Sequence, residues 1–305
     1  MTARVRIGTR GSKLAVAQSQ WVQSWLRQHH DVPVELVTIR TTGDRFADQP
    51  VSRLGGKGVF VKEIEDALLA GSIDCAVHSM KDVPSELAPG LIIAAVPVRE
   101  DPRDLLISAS GVRLQQLPRG ARVGTSSLRR AAQLRAARAD LDVRDVRGNV
   151  DTRLRKLSEG AFDALVLAAA GLRRLGIRPA GAEILAPETF IPAIGQGALA
   201  IESRHDEIAD LFAALDDART RIAVTAERAF LRRTGGTCHT PLAAHATVDG
   251  DTVELRAMIA APDGAQVVYG SRTGAASAAA ALATDLADEL LGRGGAAILQ
   301  ALETS

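Results

Sequence analysis

Aromatic side chains are scarce. Two Trp, one Tyr and six Phe amount to 3% of 305 residues, while 46% of the chain is hydrophobic. Any core must therefore be aliphatic and alanine-rich, and large cores are within reach. Cysteine is scarcer still: Cys75 and Cys238 make neither a disulfide framework nor a metal-ligand spacing. Charge of one sign is absent in bulk, with 37 basic and 36 acidic residues and a net charge of +1. There is thus no broad field for nucleic acid or an anionic membrane, and few rings on which bases could stack. No apolar run spans a bilayer; the longest, residues 164–172, is about half the length needed. Residues 1–6 lack the apolar region of a secretory leader. These absences predict a soluble, cytoplasmic protein of two or three domains, with no metal, membrane or nucleic-acid partner.

Lysine is also rare. Of the 37 basic residues only five are Lys, at positions 13, 57, 62, 81 and 156, and 32 are Arg. A compact, titratable ammonium differs from a fixed planar guanidinium. In a chain that otherwise writes Arg, Lys57 and Lys81 therefore stand out.

What the chain does have centres on residues 73–84, I-D-C-A-V-H-S-M-K-D-V-P. Ile73, Cys75, Ala76 and Val77 read as a buried strand. His78, Ser79, Lys81 and Asp82 then turn polar, and Pro84 stops regular continuation. A buried strand ending in ionisable groups is where an open α/β sheet places its ligand. The plainer alternative is a surface turn with a Lys81–Asp82 ion pair.

Upstream, residues 4–8 alternate as a strand, and T-R-G-S leads into a helix with apolar positions at Leu14, Ala17, Trp21, Val22, Trp25 and Leu26. Arg10 and the N-cap Ser12 at this joint make an anion site or an ordinary βα turn. Residues 34–41 read as a second strand. A long loop follows, with glycines around Lys57, and Val61 to Leu69 read as a helix. Residues 1–98 thus alternate β and α, which predicts a parallel sheet covered on both faces.

The charged break R-E-D-P-R-D at 99–104 marks a crossing into a second alternating unit. There V-G-T-S-S-L-R-R reads as strand, hydroxyl-bearing turn and helix. Arg129 and Arg130 in the first helical turn oppose the helix dipole, which points to an anionic ligand that offsets the cost. V-R-G-N-V-D-T-R-L repeats the layout, with Arg153 early in its helix. Recurrence of strand end, polar turn and arginine predicts a cleft that gathers carboxylates or phosphates. Gly195, Gln196 and Gly197 read as a hinge or a second crossing. Helical stretches follow near 205–215 and 219–232. Three strand-like runs are then separated by V-D-G-D and A-P-D-G-A, and a helix runs from Ala275 to Leu291.

The strings T-R-G-S, G-G-K-G-V-F-V-K-E, A-V-H-S-M-K-D-V-P, E-D-P-R-D, V-G-T-S-S-L-R-R, V-R-G-N-V-D-T-R-L, A-A-A-G-L-R-R-L-G, P-A-I-G-Q-G-A and A-P-D-G together resemble the porphobilinogen deaminase (hydroxymethylbilane synthase) family, in family order over nearly the whole chain. The resemblance implies an α/β fold of two periplasmic-binding-protein-like (type II) lobes joined by two crossings, plus a small C-terminal α+β domain. The boundaries are 1–98 with 196–215, then 99–195, then 216–305. It implies a transferase of tetrapyrrole biosynthesis that deaminates four porphobilinogen molecules and joins them head to tail on a covalent dipyrromethane primer, one per chain. Water then releases hydroxymethylbilane. The primer would hang by a thioether from Cys238, in a monomer whose partner is the small-molecule substrate. By resemblance, Arg10, Ser12, Lys57, Ser79, Lys81, Thr125, Ser126, Ser127, Arg129, Arg130, Arg147, Asn149, Arg153 and Gln196 line the cleft. Asp82 would be the acid–base group. The chemistry agrees, since each added unit brings further acetate and propionate groups into one cleft.

Some residues depart from the family pattern. The run T-G-G-T-C-H-T-P puts Thr237 where a glycine is usual and Thr240 where a valine is usual, and Arg53 stands where many relatives have Lys. Read from the residues alone, a lone cysteine is more often a small buried hydrophobe. Cys75 is assigned to packing and His78 to structure. Two other classes fit the residue patterns: a solute-binding protein without chemistry, and a Schiff-base enzyme using Lys81.

Overall fold

A computed structural model describes residues 4–45, 61–237 and 240–303. Two of the expected site residues, Lys57 and Cys238, lie outside the described residues. The chain divides into two compact units, residues 1–100 with 197–221 and residues 101–196 with 222–305.

In the first unit, strands β1 (Val5–Thr9), β2 (Val34–Thr38), β3 (Cys75–Ser79) and β4 (Leu91–Ala95) are joined by β10 (Leu199–Arg204), in the order β2-β1-β3-β10-β4. β1 runs parallel to β2 and β3, whereas β10 is antiparallel to β3 and β4. The helices are α1 (Lys13–His29), the short α2 (Thr42–Arg45), α3 (Lys62–Leu69) and α7 (Glu207–Asp210). Cys75 and Val77 face one apolar cluster with Val22 and Leu26 of α1, and Ala76 faces another with Ile64 and Leu68 of α3. Burial on both faces is why β3 reads as a continuous apolar run. An all-parallel sheet was expected; the reversed strand is the difference. β10 comes from the chain returning after residue 196, so no local β–α alternation announces it.

The second unit repeats this plan. Strands β5 (Asp104–Ser108), β6 (Arg122–Gly124), β7 (Asp142–Arg144), β8 (Ala164–Ala168) and β9 (Glu183–Leu185) lie in the order β7-β6-β8-β5-β9. Here β5 is reversed against β8 and β9. Helices α4 (Leu128–Ala137), α5 (Val150–Ser158) and α6 (Ala169–Arg174) cover the faces. Both sheets thus carry the strand order of a type II periplasmic-binding-protein lobe.

The C-terminal part is a three-stranded antiparallel sheet, β11 (Leu242–Asp249), β12 (Thr252–Ala260) and β13 (Val267–Ala275), whose two hairpins fall at the expected D-G turns. One face packs on α8 (Ala218–Thr234), α9 (Ala279–Leu290) and α10 (Ala296–Glu303), largely through alanines that let the elements approach closely. The sequence predicted no α10. Gly294, at φ 110°, ends the preceding helical path and the chain resumes as a new helix.

The other face of this sheet meets α4 through Ala132, Ala243, Met258 and Ala260. The A-P-D-G hairpin fastens the contact: Arg135 Nη1 donates to Pro262 O at 2.6 Å. Gly264, at φ +73°, lies so close that a Cβ there would sit 2.7 Å from both Ala132 O and Ala136 N. Backbone cannot retreat as a flexible side chain can. Gly264→Ala is therefore expected to cost about 2 kcal/mol or more, against about 1 kcal/mol for Gly250→Ala, where φ is also positive but the space is open. Thermal denaturation of the two variants tests this, and equal losses would remove the close approach as the cause.

Candidate functional site

Because β1 and β3 are adjacent and parallel, their C-terminal ends emerge side by side. After β1 come Arg10 and Ser12. Ser12 has extended backbone and caps α1, its side chain accepting from Ala15 N at 3.2 Å. After β3 comes a single 3-10 turn, Met80–Asp82. Two ties hold this turn. Buried Gln18 of α1 donates Nε2 to Ser79 Oγ at 2.9 Å, and Met80 N donates to Ala198 O at 3.0 Å. Met80 is buried, Lys81 half-buried and Asp82 exposed. Lys81 and Asp82 form no ion pair with each other, so the plainer sequence reading fails on geometry. Lys81 is engaged elsewhere, whereas Asp82 accepts no hydrogen bond among the described residues.

Beneath the turn lies a buried acidic group that the sequence did not announce. His78 Nε2 approaches Glu202 Oε2 of β10 at 2.9 Å, yet the angles do not make a hydrogen bond. Glu65 of α3 joins them. Burial first, and Glu202 second, raise its carboxyl above the usual range, opposed by the Ala88 N–H and His78. Only position along a strand from the far end of the lobe brings Glu202 here.

In the second unit, residues 125–127 link β6 to α4. Thr125 Oγ1 accepts from Ser127 N at 3.2 Å, and Ser127 Oγ caps the helix by accepting from Arg130 N at 3.4 Å. Ser126 is half-buried. Arg129 and Arg130 are both buried. Arg129 donates Nη2 to Asp104 Oδ2 at 2.8 Å and Nη1 to Ile191 O at 2.6 Å, and lies over the Phe190 ring at 5.9 Å. Arg130 donates Nε to Asp104 Oδ1 at 3.0 Å and Nη1 to Val166 O at 3.1 Å. Gln196 completes the cluster: it accepts from Arg130 Nη2 at 3.3 Å and donates Nε2 to Pro102 O at 2.6 Å and to Asp104 Oδ1 at 3.0 Å. The anion that answers these two arginines is thus inside the protein, where the sequence had suggested a ligand.

Asp104 is completely buried. Burial alone would push its carboxyl up; Arg129, Arg130 and Gln196 overcome this and hold it at about 2. A depressed native value stabilises the fold above the unfolded value of about 3.9, and that contribution disappears as pH falls through about 2. Acid unfolding of the wild type and Asp104→Asn should therefore converge between about pH 4 and pH 2. A gap that stays constant over that range would show that Asp104 is not the titrating group.

Farther out, Arg147 donates Nε to Asp145 Oδ2 at 2.6 Å, and exposed Asn149 starts α5 without a side-chain cap bond. Arg153 donates Nε to Gly148 O at 2.7 Å. Burial, and then the charge of Arg130, push Arg153 down to about 10; Asp145 opposes this and Arg147 adds to it. Four guanidiniums, Arg129, Arg130, Arg147 and Arg153, face Asp104 and Asp145, so positive charge is in excess.

The structure therefore brings Arg10, Ser12, Ser79, Lys81 and Asp82 to one sheet edge of the first unit. It brings residues 125–127, Arg129, Arg130, Arg147, Arg153 and Gln196 together in the second.

The family profile described as porphobilinogen deaminase, dipyromethane cofactor binding domain, matches residues 5–210, and that of the porphobilinogen deaminase C-terminal domain matches residues 221–292. A porphobilinogen deaminase of Roseiflexus sp. (strain RS-1) is 54% identical over 96% of this chain and 97% of its own. Another from Syntrophotalea carbinolica is 52% identical over 99% and 97%. The chain belongs to the porphobilinogen deaminase family. Among solved structures, an ABC-transporter periplasmic substrate-binding protein from Coxiella burnetii aligns over 69% of this chain and 91% of its own, at 13% identity and a TM-score of 0.43.

A porphobilinogen deaminase holds a dipyrromethane, two linked pyrroles bearing carboxylate arms. The second unit suits that group. A guanidinium pushed down first by burial and then by neighbouring positive charge, as Arg153 is, gains from a carboxylate. The hydroxyl-bearing turn at residues 125–127 adds uncharged donors. Among the described residues no His, Cys, Asp and Glu group could hold a metal ion, and no helix is long and apolar enough to cross a membrane.

Proposed function

We propose that this chain makes hydroxymethylbilane by joining four porphobilinogen molecules head to tail, with Asp82 as its proton-handling group and Cys238 as the point of dipyrromethane attachment. The observation that carries the reading is Asp82 itself. It is an exposed carboxylate, free of Lys81, on a turn fixed by Gln18 and Ala198 at the C-terminal edge of the sheet.

In each round the substrate's C–N bond breaks and ammonia leaves, which puts positive charge on the pyrrole. Asp82, beside the pyrrole N–H, stabilises that charge electrostatically. A C–C bond then forms, and the carbon that was attacked with loses its proton; Asp82 is placed to accept it. The dipyrromethane supplies the free α-carbon on which the first unit is built. Arg10, Ser12, Lys57, Ser79 and Lys81 in the first lobe, and residues 125–127, Arg129, Arg130, Arg147, Asn149, Arg153 and Gln196 in the second, hold the carboxylate arms or the groups that hold them. Arg153 carries the most direct share, because Arg129 and Arg130 already answer Asp104 and Arg147 answers Asp145.

Cys75 supports the assignment to Cys238 by elimination. It is wholly buried in β3, and burial pushes its thiol up, far from a reactive thiolate. Three functional parts, residues 1–98 with 196–215, 99–195 and 216–305, divide the work into two lobes and an attachment domain. We read the protein as a cytoplasmic monomer acting on a small molecule, without nucleic-acid or membrane partner; size-exclusion chromatography checks the monomer. Intact mass of the purified chain tests the reading. A dipyrrole-sized increment on the Cys238 peptide is expected, and a bare chain, or an increment elsewhere, would overturn it.

A further inference from the structure

Asp104 has no place in the proposed reaction, yet it is fully buried and held by two arginines and a glutamine. It is the last residue of the break R-E-D-P-R-D and begins β5. Its two oxygens take Arg129 Nη2 at 2.8 Å and Arg130 Nη2 at 2.7 Å. Gln196 braces the same oxygen that Arg130 Nε uses, and by donating to Pro102 O it ties the chain on either side of the second lobe to this one point. A buried acid with this many donors contributes little net stability compared with an apolar replacement. What it does provide is a common anchor for two long, buried cations.

Location matters here because Arg130 acts outward in two ways. Its backbone N–H is the donor that Ser127 caps, so its placement sets the turn at residues 125–127. After burial, its charge is the largest effect on Arg153, which pairs with no carboxylate among the described residues. We propose that Asp104, braced by Gln196, is a positioning residue for carboxylate recognition: it fixes Arg130, and through it the hydroxyl turn at residues 125–127. This rests on the reading that the cluster faces the substrate's acid arms. The role is one of binding and orientation, so it falls on the Michaelis constant and on cofactor retention rather than on the chemical step.

The test uses the full chain purified with its cofactor. Wild type, Asp104→Asn and Asp104→Glu are compared by circular dichroism, by intact mass for the fraction carrying the dipyrrole increment, and by KM and kcat per loaded chain. Asp104→Asn should raise KM for porphobilinogen at least about tenfold, with kcat within about threefold of wild type and a lowered loaded fraction. Asp104→Glu, which restores the charge, should recover part of both losses. If Asp104→Asn fails to fold, Asp104→Glu decides: it keeps the charge but displaces the two arginines, with an expected rise in KM of about threefold or more and kcat within about threefold of wild type. A KM within about twofold of wild type in the deciding variant overturns the proposal. So does an equal fall in kcat and kcat/KM with no recovery in Asp104→Glu, which marks a merely structural residue. A wild-type chain that neither carries the increment nor turns over porphobilinogen overturns the functional reading as well, so the two failures are told apart.

Discussion

Asp82→Ala should fold like the wild type and lose turnover by about a thousandfold or more, which corresponds to about 4 kcal/mol of transition-state stabilisation. The fold should survive because Asp82 is exposed and accepts no hydrogen bond among the described residues. The turn is held instead by Met80 N on Ala198 O and by Ser79 Oγ under Gln18. Exposed substitutions of that kind usually change stability by about 0.5 kcal/mol or less. The activity loss follows from charge: alanine offers nothing to a pyrrole that becomes positive as ammonia departs. Asp82→Asn separates two contributions, since it keeps a hydrogen-bond acceptor without the negative charge. It should resemble the alanine variant in kcat, with KM little changed in either. Rates of porphobilinogen consumption and thermal midpoints on the same preparations read both halves. Substantial turnover in Asp82→Ala would remove this side chain from the chemistry.

Glu227→Ala should produce the largest loss of stability. Glu227 lies on α8, fully buried, and its two oxygens accept from Gly195 N at 2.6 Å and Ala246 N at 2.8 Å. One carboxylate thus joins the G-Q-G segment to the first strand of the C-terminal sheet. Removing it leaves two buried N–H groups without an acceptor, at a cost of about 3–5 kcal/mol. Glu227→Gln keeps one acceptor and should lose roughly half as much. The scarcity of aromatics supplies the assay. Both tryptophans, Trp21 and Trp25, are on α1 in the first unit, while the single tyrosine, Tyr269, is on β13 in the second. Urea unfolding of Glu227→Ala should show the tyrosine signal moving to lower denaturant, with the tryptophan signal shifting less. A tyrosine midpoint equal to that of the wild type would mean that the two N–H groups find other acceptors.

Much of the architecture was readable because the elements obey local periodicity. The run at 164–168 is apolar throughout, those at 75–77 and 105–107 are apolar up to a polar strand end, and the D-G turns place the C-terminal hairpins. What was not readable was pairing across distant chain. The return of residues 196–215 to the first domain was expected, but no pattern near residues 73–98 announces that β10 enters between β3 and β4 and runs antiparallel to both. Within the site, residue types were legible and partnerships were not. Arg129 and Arg130 stood out as basic residues at a helix start, but their counter-charge is Asp104, about 25 positions earlier in sequence and hidden in a charged break. Nothing in the sequence singles out the buried acids Glu202 and Glu227, because burial is decided by packing rather than by neighbours in sequence. Lys57 and Cys238 lie outside the described residues, and their roles rest on the family.

The reversed strand has a further consequence for synthesis on the ribosome. β10 sits between β3 and β4, so the first sheet has a gap at its centre until Arg204 has left the exit tunnel. The N-terminal hundred residues must wait, with β3 open along one side and β4 without a strand partner, while all of 101–196 is made. The second lobe's own strands are contiguous, so that lobe can close first. Nascent chains of this protein should therefore mature from the middle outward, and a fragment ending near residue 100 should aggregate rather than fold.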